Sequence, residues 1–258
     1  MQRGKVIGAI VLIAAIGIIV ARFPSQGDRA GDESDRTSSS SPAPASREGG
    51  ATATGLSSTA AGSVAEGLRE YRVDAAGSEV YWRIYKAGAM ARLGHNHVIS
   101  MVSFTGSILL GDDPAAAQWD LQFPVADLVI DDPALRSRYG EDFASVPSEN
   151  DKAGTKTNML KEEVLNGAEF PVISLQGTGF SGTLAAAELP MTISMLGRTI
   201  NQVFPASISI EADSIIVTGE YSLTHADLGL TPFVAVPGLL SVGDAIDFTY
   251  RIRAVAVD

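Results

Sequence analysis

The stretch Ile246-Asp247-Phe248-Thr249-Tyr250-Arg251-Ile252-Arg253 alternates apolar and polar side chains with a period of two residues. Successive side chains of a β-strand point to opposite faces of a sheet, so this alternation predicts a strand with one apolar face. The same alternation recurs over residues 79–85 and 119–125. A period of two is therefore the dominant signal in the C-terminal part of the chain.

Five further stretches are strand candidates, and the turns between some of them are short. The candidates are 97–110, 172–180, 189–196, 199–210 and 214–224. The turns Gly197-Arg198 and Glu211-Ala212-Asp213 leave no room for a crossover helix, so the strands that they join are predicted to be antiparallel. About eight such strands with tight turns favour an all-β fold, either a closed antiparallel barrel or a sandwich.

Residues 131–168 depart from this pattern because they are polar and contain two stretches with helical spacing, 133–139 and 157–166. We expect one or two short helices there, in a long connection that could cap the mouth of a barrel. The pairs Asp112-Asp113 and Asp131-Asp132 each precede a proline. We interpret both as turns and not as acid–base pairs.

The N-terminal part of the chain is predicted to lie outside the folded domain. Positive residues precede the uncharged run Val6–Ala21, so residues 1–22 are interpreted as a transmembrane helix that anchors the chain in the inner membrane. A cleaved signal peptide is the alternative, and both readings place the remainder in the periplasm. Residues 23–68 are dominated by Ser, Ala, Gly, Thr and Pro and predict a disordered linker. The domain would then span residues 69–258.

The composition excludes several classes of function. The chain of 258 residues has no cysteine, which excludes disulfides, thiolate metal sites, iron–sulfur clusters and a cysteine nucleophile. Its net charge of −11 argues against nucleic acid as a partner, because phosphate backbones repel an acidic surface. No Gly-x-Ser-x-Gly elbow, Walker loop or His-Glu-x-x-His motif is present. We therefore expect a binding protein and not an enzyme.

Six stretches carry motifs in a fixed order along the chain. They are 71–80, 104–108, 158–175, 189–200, 224–230 and 242–248. Together they resemble the YceI-like family of exported bacterial proteins, which are described as polyisoprenoid-binding. The resemblance implies an eight-stranded, lipocalin-like antiparallel barrel with an elongated apolar cavity. It implies that this cavity holds a polyisoprenoid, an isoprenoid quinone or another lipid, and it leaves a homodimer open.

In such a barrel the candidate ligand-binding residues are aromatic side chains on the predicted strands and one arginine that could meet a charged head group. They are Tyr81, Trp82, Phe104, Phe123, Phe248 and Arg92. Which rings of strand 79–85 line a cavity and which belong to the ordinary core is left open. Apolar walls contribute roughly 0.8 kcal/mol per buried methylene and discriminate poorly between chains.

The three histidines of the chain, His95, His97 and His225, fall where the sequence departs from the family pattern. His95 and His97 are two residues apart, so on a strand they would point to the same side. If the final strands close near the first ones, His225 could join them in a three-histidine site for zinc or copper. The protein would then be a metal-binding or redox-linked protein. The same side chains could instead contact a polar head group near Arg92, or have no shared role.

Overall fold

The computed structural model describes residues 67–257. The predicted membrane segment 1–22 and almost all of the predicted linker 23–68 lie outside these residues and stay predictions. In the part of the chain that is described, no helix is long and apolar enough to cross a membrane.

The described residues form one antiparallel sheet and two short α-helices. The strands are β1 (Arg69–Val73), β2 (Glu79–Ala87), β3 (His97–Met101), β4 (Thr105–Leu110), β5 (Gln118–Pro124), β6 (Leu128–Ile130), β7 (Val172–Thr178), β8 (Ser181–Thr183), β9 (Ala186–Met195), β10 (Arg198–Ile210), β11 (Ser214–Thr224), β12 (Val234–Val236) and β13 (Leu240–Ala256). The helices are α1 (Pro133–Arg136) and α2 (Glu149–Met159).

Eight of these strands close into a ring. Their order is β1-β4-β5-β7-β9-β10-β11-β13, and β13 pairs again with β1. Strands β2, β3 and β6 continue from β13 as a branch of the same sheet. The long β13 permits both arrangements, because its residues 254–256 pair with β1 while its residues 241–251 pair with β2. The predicted all-β, antiparallel, eight-stranded barrel is thus confirmed, and the sandwich alternative was wrong.

The single strand predicted over 97–110 is two strands in the structure. β3 ends at Met101 and pairs with β2, whereas β4 begins at Thr105 and pairs with β1 and β5. The chain therefore changes its neighbours between the two strands. Residues 102–104 contain neither glycine nor proline, so no local signal marks this break.

The first predicted helix is confirmed in part and lies against the outside of the barrel. The carboxylate of Asp132 caps α1 by accepting hydrogen bonds from the N–H groups of Ala134 and Leu135, and a 3₁₀ segment, Ser137–Phe143, follows. Phe143 is buried there with Tyr81 of β2. The segment thus covers the outer face of the β2–β3 pair and does not cap the end of the barrel.

The second helix begins earlier than predicted. α2 starts at Glu149, after a capping box formed by Ser148 and Asp151, and ends at Met159. None of its residues is buried, so it has no apolar stripe that a sequence pattern could show. The predicted helix 157–166 was therefore placed too late in the chain.

Two glycines let large aromatic rings lie flat across the inside of the sheet. A Cβ on Gly177 would lie 2.4 Å from atoms of the Trp119 ring and 2.2 Å from the carbonyl oxygen of Pro190. A Cβ on Gly219 would lie 2.3 Å from the hydroxyl oxygen of Tyr250. Only glycine fits in these two positions, because each ring occupies the space that a side chain on the neighbouring strand would need.

Candidate ligand-binding cavity

The barrel contains a cavity of about 390 Å³. The apolar residues of the two stretches 79–85 and 246–253 face it, whereas the alternate residues Tyr81 and Arg83 do not line it. The lining residues that follow the alternation are Val80, Trp82, Ile84, Ile246, Phe248, Tyr250 and Ile252, and two residues outside it, Tyr85 and Thr249, also reach the cavity. The period of two in the sequence therefore marks the cavity wall.

The two ends of the cavity differ in polarity. At the end where β1 meets β13, the wall is apolar and includes Leu110, Trp119 and Ile215. At the opposite end, strand register places His97 level with Ile246 of β13. We call this the polar end, because most of the polar side chains in the wall lie here. They are Lys86, His95, His97, Thr155, Asn158, His225, Thr231 and Ser241.

Three of the predicted aromatic residues line the cavity. Trp82 and Phe248 are neighbours across β2 and β13, with ring centroids 5.9 Å apart, and Phe123 contributes from β5. Phe104 is buried and stacks on Phe123 with a centroid separation of 5.0 Å, but it does not reach the cavity surface. It supports the wall and is not part of it.

The other two predicted residues lie away from the cavity. Tyr81 is buried on the outer face of β2, where its hydroxyl oxygen accepts a hydrogen bond from Tyr139 at 2.8 Å. Arg92 is exposed in the 3₁₀ turn Ala91–Leu93 and does not line the cavity. Tyr81 points outward because successive side chains of β2 alternate between the two faces of the sheet. Arg92 lies at the surface because it belongs to an exposed turn.

All three histidines line the cavity, but the structure does not assemble them into a metal site. The ring centroids of His95 and His97 are 6.2 Å apart. Nδ1 of His225 donates to the backbone oxygen of Asp244 at 2.8 Å, while His95 contacts the hydroxyl of Ser145. Among residues 67–257, no three histidine, aspartate or glutamate side chains are grouped closely enough to hold a metal ion.

His97 is joined to a buried ion pair behind the barrel wall. Its Nδ1 lies 2.6 Å from Oδ2 of Asp131, which is fully buried. The other carboxylate oxygen of Asp131 accepts from Nη1 of Arg136 at 2.5 Å and from the N–H of Val98 at 2.9 Å. Arg136 is also buried and donates to three backbone oxygens, those of Asn96, Phe143 and Ser145. The group therefore fixes β3, α1 and the 3₁₀ segment to one another.

The sequence model of the YceI-like domain matches residues 71–254, which is most of the chain. The chain belongs to the YceI-like family.

The chain is similar to solved structures at low sequence identity. Burkholderia cenocepacia BcnA is 10% identical, over 71% of this chain and 99% of that chain, with a TM-score of 0.52. The Campylobacter jejuni YCEI protein is 10% identical, over 62% of this chain and 84% of that chain, with a TM-score of 0.43. No curated protein matches the chain. The likeness to BcnA supports the fold alone.

Sequence reasoning missed Asp131 and Arg136 in this YceI-like domain. Asp131 was interpreted as a turn residue, and its φ of 55° does belong to a turn. The sequence signal for the pair is an arginine, Arg136, five residues after Asp131, with the start of a helix at Pro133 between them. Buried charges are rare unless they are paired, so the burial of both side chains marks this pair as a site of structural or functional importance.

The electrostatics of the polar end follow from this burial. Burial alone would raise the pKa of Asp131, but the hydrogen bonds from His97, Val98 and Arg136 together hold it below its ordinary value. Burial also lowers the pKa of His95, and the nearby ring of His97 lowers it further. The polar end thus combines an ionised carboxylate behind the wall with a His95 ring that resists protonation.

Proposed function

We propose that the barrel binds one long apolar or amphiphilic molecule, such as a polyisoprenoid, an isoprenoid quinone or another lipid, and acts as a binding protein without catalysing a reaction. The observation that carries this proposal is the cavity inside the barrel, whose wall is mostly apolar and whose polar side chains lie mainly at one end. Such a cavity suits a hydrocarbon chain whose polar group stays at the polar end. The family resemblance points to the same class of ligand.

The size of the cavity limits the part of the ligand that it can enclose. A water-sized group occupies about 30 Å³, so 390 Å³ has room for at least on the order of 13 such groups. That corresponds to roughly two or three isoprene units. Burying this many methylene-sized groups would contribute about 10 kcal/mol before the ordering of the ligand is subtracted.

Native mass spectrometry of the full-length protein, gently extracted from its own host, tests the proposal. We expect a bound mass of several hundred daltons that fragments as an isoprenoid or acyl chain. A Val217→Trp variant should carry less of this mass, because Val217 lines the cavity and a larger ring there takes up a large part of its volume. The matched control is Val203→Trp on β10, where the valine is 51% exposed. Protein that carries no such mass, or equal loading of both variants, would count against the proposal.

We further propose that the domain works in the periplasm, tethered to the inner membrane by residues 1–22. The uncharged run Val6–Ala21 and the positive residues before it support this orientation. The test is fractionation of host cells, followed by protease treatment of spheroplasts. The full-length protein should stay with the membrane under alkaline extraction and should be degraded by protease added outside. Protection from that protease would contradict a periplasmic location.

A further inference from the structure

His97 is a polar residue of the cavity wall whose ring contacts a buried ion pair on the side away from the cavity. Its Nδ1 is 2.6 Å from a carboxylate oxygen of Asp131, an atom that can only accept when ionised, so Nδ1 carries the proton. The ring lines the cavity, so its other nitrogen, Nε2, is the polar atom that it offers to a ligand. The buried partners fix both the orientation and the tautomer of this ring.

The charge of Asp131 does not require a charged histidine. Arg136 already neutralises the carboxylate through a 2.5 Å contact, and both side chains are buried. In the neutral ring with a proton on Nδ1, Nε2 holds a lone pair and accepts hydrogen bonds but cannot donate them.

We propose that Nε2 of His97 is a fixed hydrogen-bond acceptor that selects ligands with a hydroxyl group at the head of the chain, such as an isoprenoid alcohol or phenol. This inference rests on the proposed function, because it assigns the polar contact of the same cavity. A ligand whose head group carries only acceptors, such as an ether, leaves Nε2 unpaired in an apolar site. An unpaired buried acceptor weakens binding by about tenfold.

The other two histidines lack this buried support. Nδ1 of His95 faces the hydroxyl of Ser145, which can donate or accept, so its tautomer is not fixed. Nδ1 of His225 donates to the backbone oxygen of Asp244, which leaves its Nε2 as an acceptor too, but no buried ion pair backs this contact, since the carboxylate of Asp244 is 60% exposed. His95 is therefore the matched control for His97: it lies at the same end of the cavity, close to His97, without a carboxylate behind it.

Binding of two probes, one with and one without an O–H donor on the head group, tests the selection. Farnesol and farnesyl methyl ether share one isoprenoid chain, and only farnesol has an O–H group. The two tryptophans of the chain, Trp82 and Trp119, both line the cavity, so their fluorescence reports its occupation. The titration uses the full-length protein held in an amphipathic polymer. We expect farnesol to bind about tenfold more tightly than the ether.

Variants assign this preference to His97. In His97→Phe the preference should fall to about twofold or less, with ether binding little changed, while His95→Phe should keep the tenfold preference. In Asp131→Asn the amide can donate to Nδ1, which moves the ring proton to Nε2, so the preference should vanish or reverse. This second variant keeps the His97 ring in place if His97→Phe folds poorly.

Two results would overturn the inference. One is equal affinity for farnesol and its ether in the wild-type protein, and the other is an undiminished preference in both His97→Phe and Asp131→Asn. If neither probe changes the tryptophan fluorescence, the proposed function itself fails, which is a different outcome from binding without selection.

Discussion

Replacement of Arg136 by methionine should be among the most destabilising single changes outside the cavity wall. The guanidinium is 7% exposed and donates to Asp131 and to the backbone oxygens of Asn96, Phe143 and Ser145. Methionine has a similar length but no charge, so it would leave the carboxylate of Asp131 buried without a counter-ion. Removing one partner of a buried pair costs about 3–5 kcal/mol of unfolding free energy.

A neighbouring arginine provides the matched control for this prediction. Arg138 makes two hydrogen bonds of 2.9 Å to Glu79, but the two side chains are 44% and 46% exposed. Exposed pairs contribute about 0.2–1 kcal/mol, so Arg138→Met should have a small effect. Comparing the same substitution at these two positions thus separates the effect of burial on stability from the effect of losing an arginine side chain.

Urea unfolding, followed by tryptophan fluorescence, measures both variants. A domain of this kind is stable by about 5–15 kcal/mol, so Arg136→Met should still fold but with a much lower midpoint. We expect its loss of unfolding free energy to be at least three times that of Arg138→Met. Equal losses, or a loss below about 1 kcal/mol for Arg136→Met, would refute the view that this ion pair holds α1 to the barrel.

Three further predictions follow from the geometry. In the same urea experiment, Gly177→Ala should lower the unfolding free energy by about 1–3 kcal/mol, because the new Cβ would collide with the ring of Trp119. The control is Gly154→Ala in α2, where a Cβ meets no atom within 4 Å, and this change should be neutral or stabilising. Since the folded state lowers the pKa of Asp131, the ionised carboxylate stabilises the fold at neutral pH, and this stability is lost as the pH falls below about 3.9. Between pH 5 and pH 2 the midpoint temperature of thermal unfolding should therefore fall less for Asp131→Asn than for the wild type. Nitrogen NMR shifts of His97 should report a proton on Nδ1 and none on Nε2 in the neutral ring, and the opposite tautomer would contradict the assignment.

Strand pattern was predictable from the sequence because it is a local property. The alternation over 246–253 and 79–85 reflects which side chains face the cavity, and the type of each residue shows this without reference to distant parts of the chain. The break between β3 and β4 depends on a change of partner strands, which no residue in 102–104 signals. The helix 149–159 was missed because none of its side chains is fully buried and a single apolar residue, Met159, packs against the core, whereas periodicity detects a repeated stripe of core residues.

The candidate site was only partly predictable for a related reason. The three histidines were identified as unusual, and all three do line the cavity. Their separation could not be read from the sequence, because it depends on where strand register places His225 relative to His97 around the ring. The burial of Asp131 was hidden as well, since a turn aspartate before proline has the same local sequence whether it is exposed or covered by Arg136.

A crystal structure of the protein purified from its own host, without added ligand, tests the central claim most directly. We expect continuous electron density for a slender apolar chain in the cavity, in contact with Trp82 and Phe248, and a hydroxyl oxygen within hydrogen-bond distance of Nε2 of His97. A barrel whose interior is closed by its own side chains, with no room for such a chain, would contradict it.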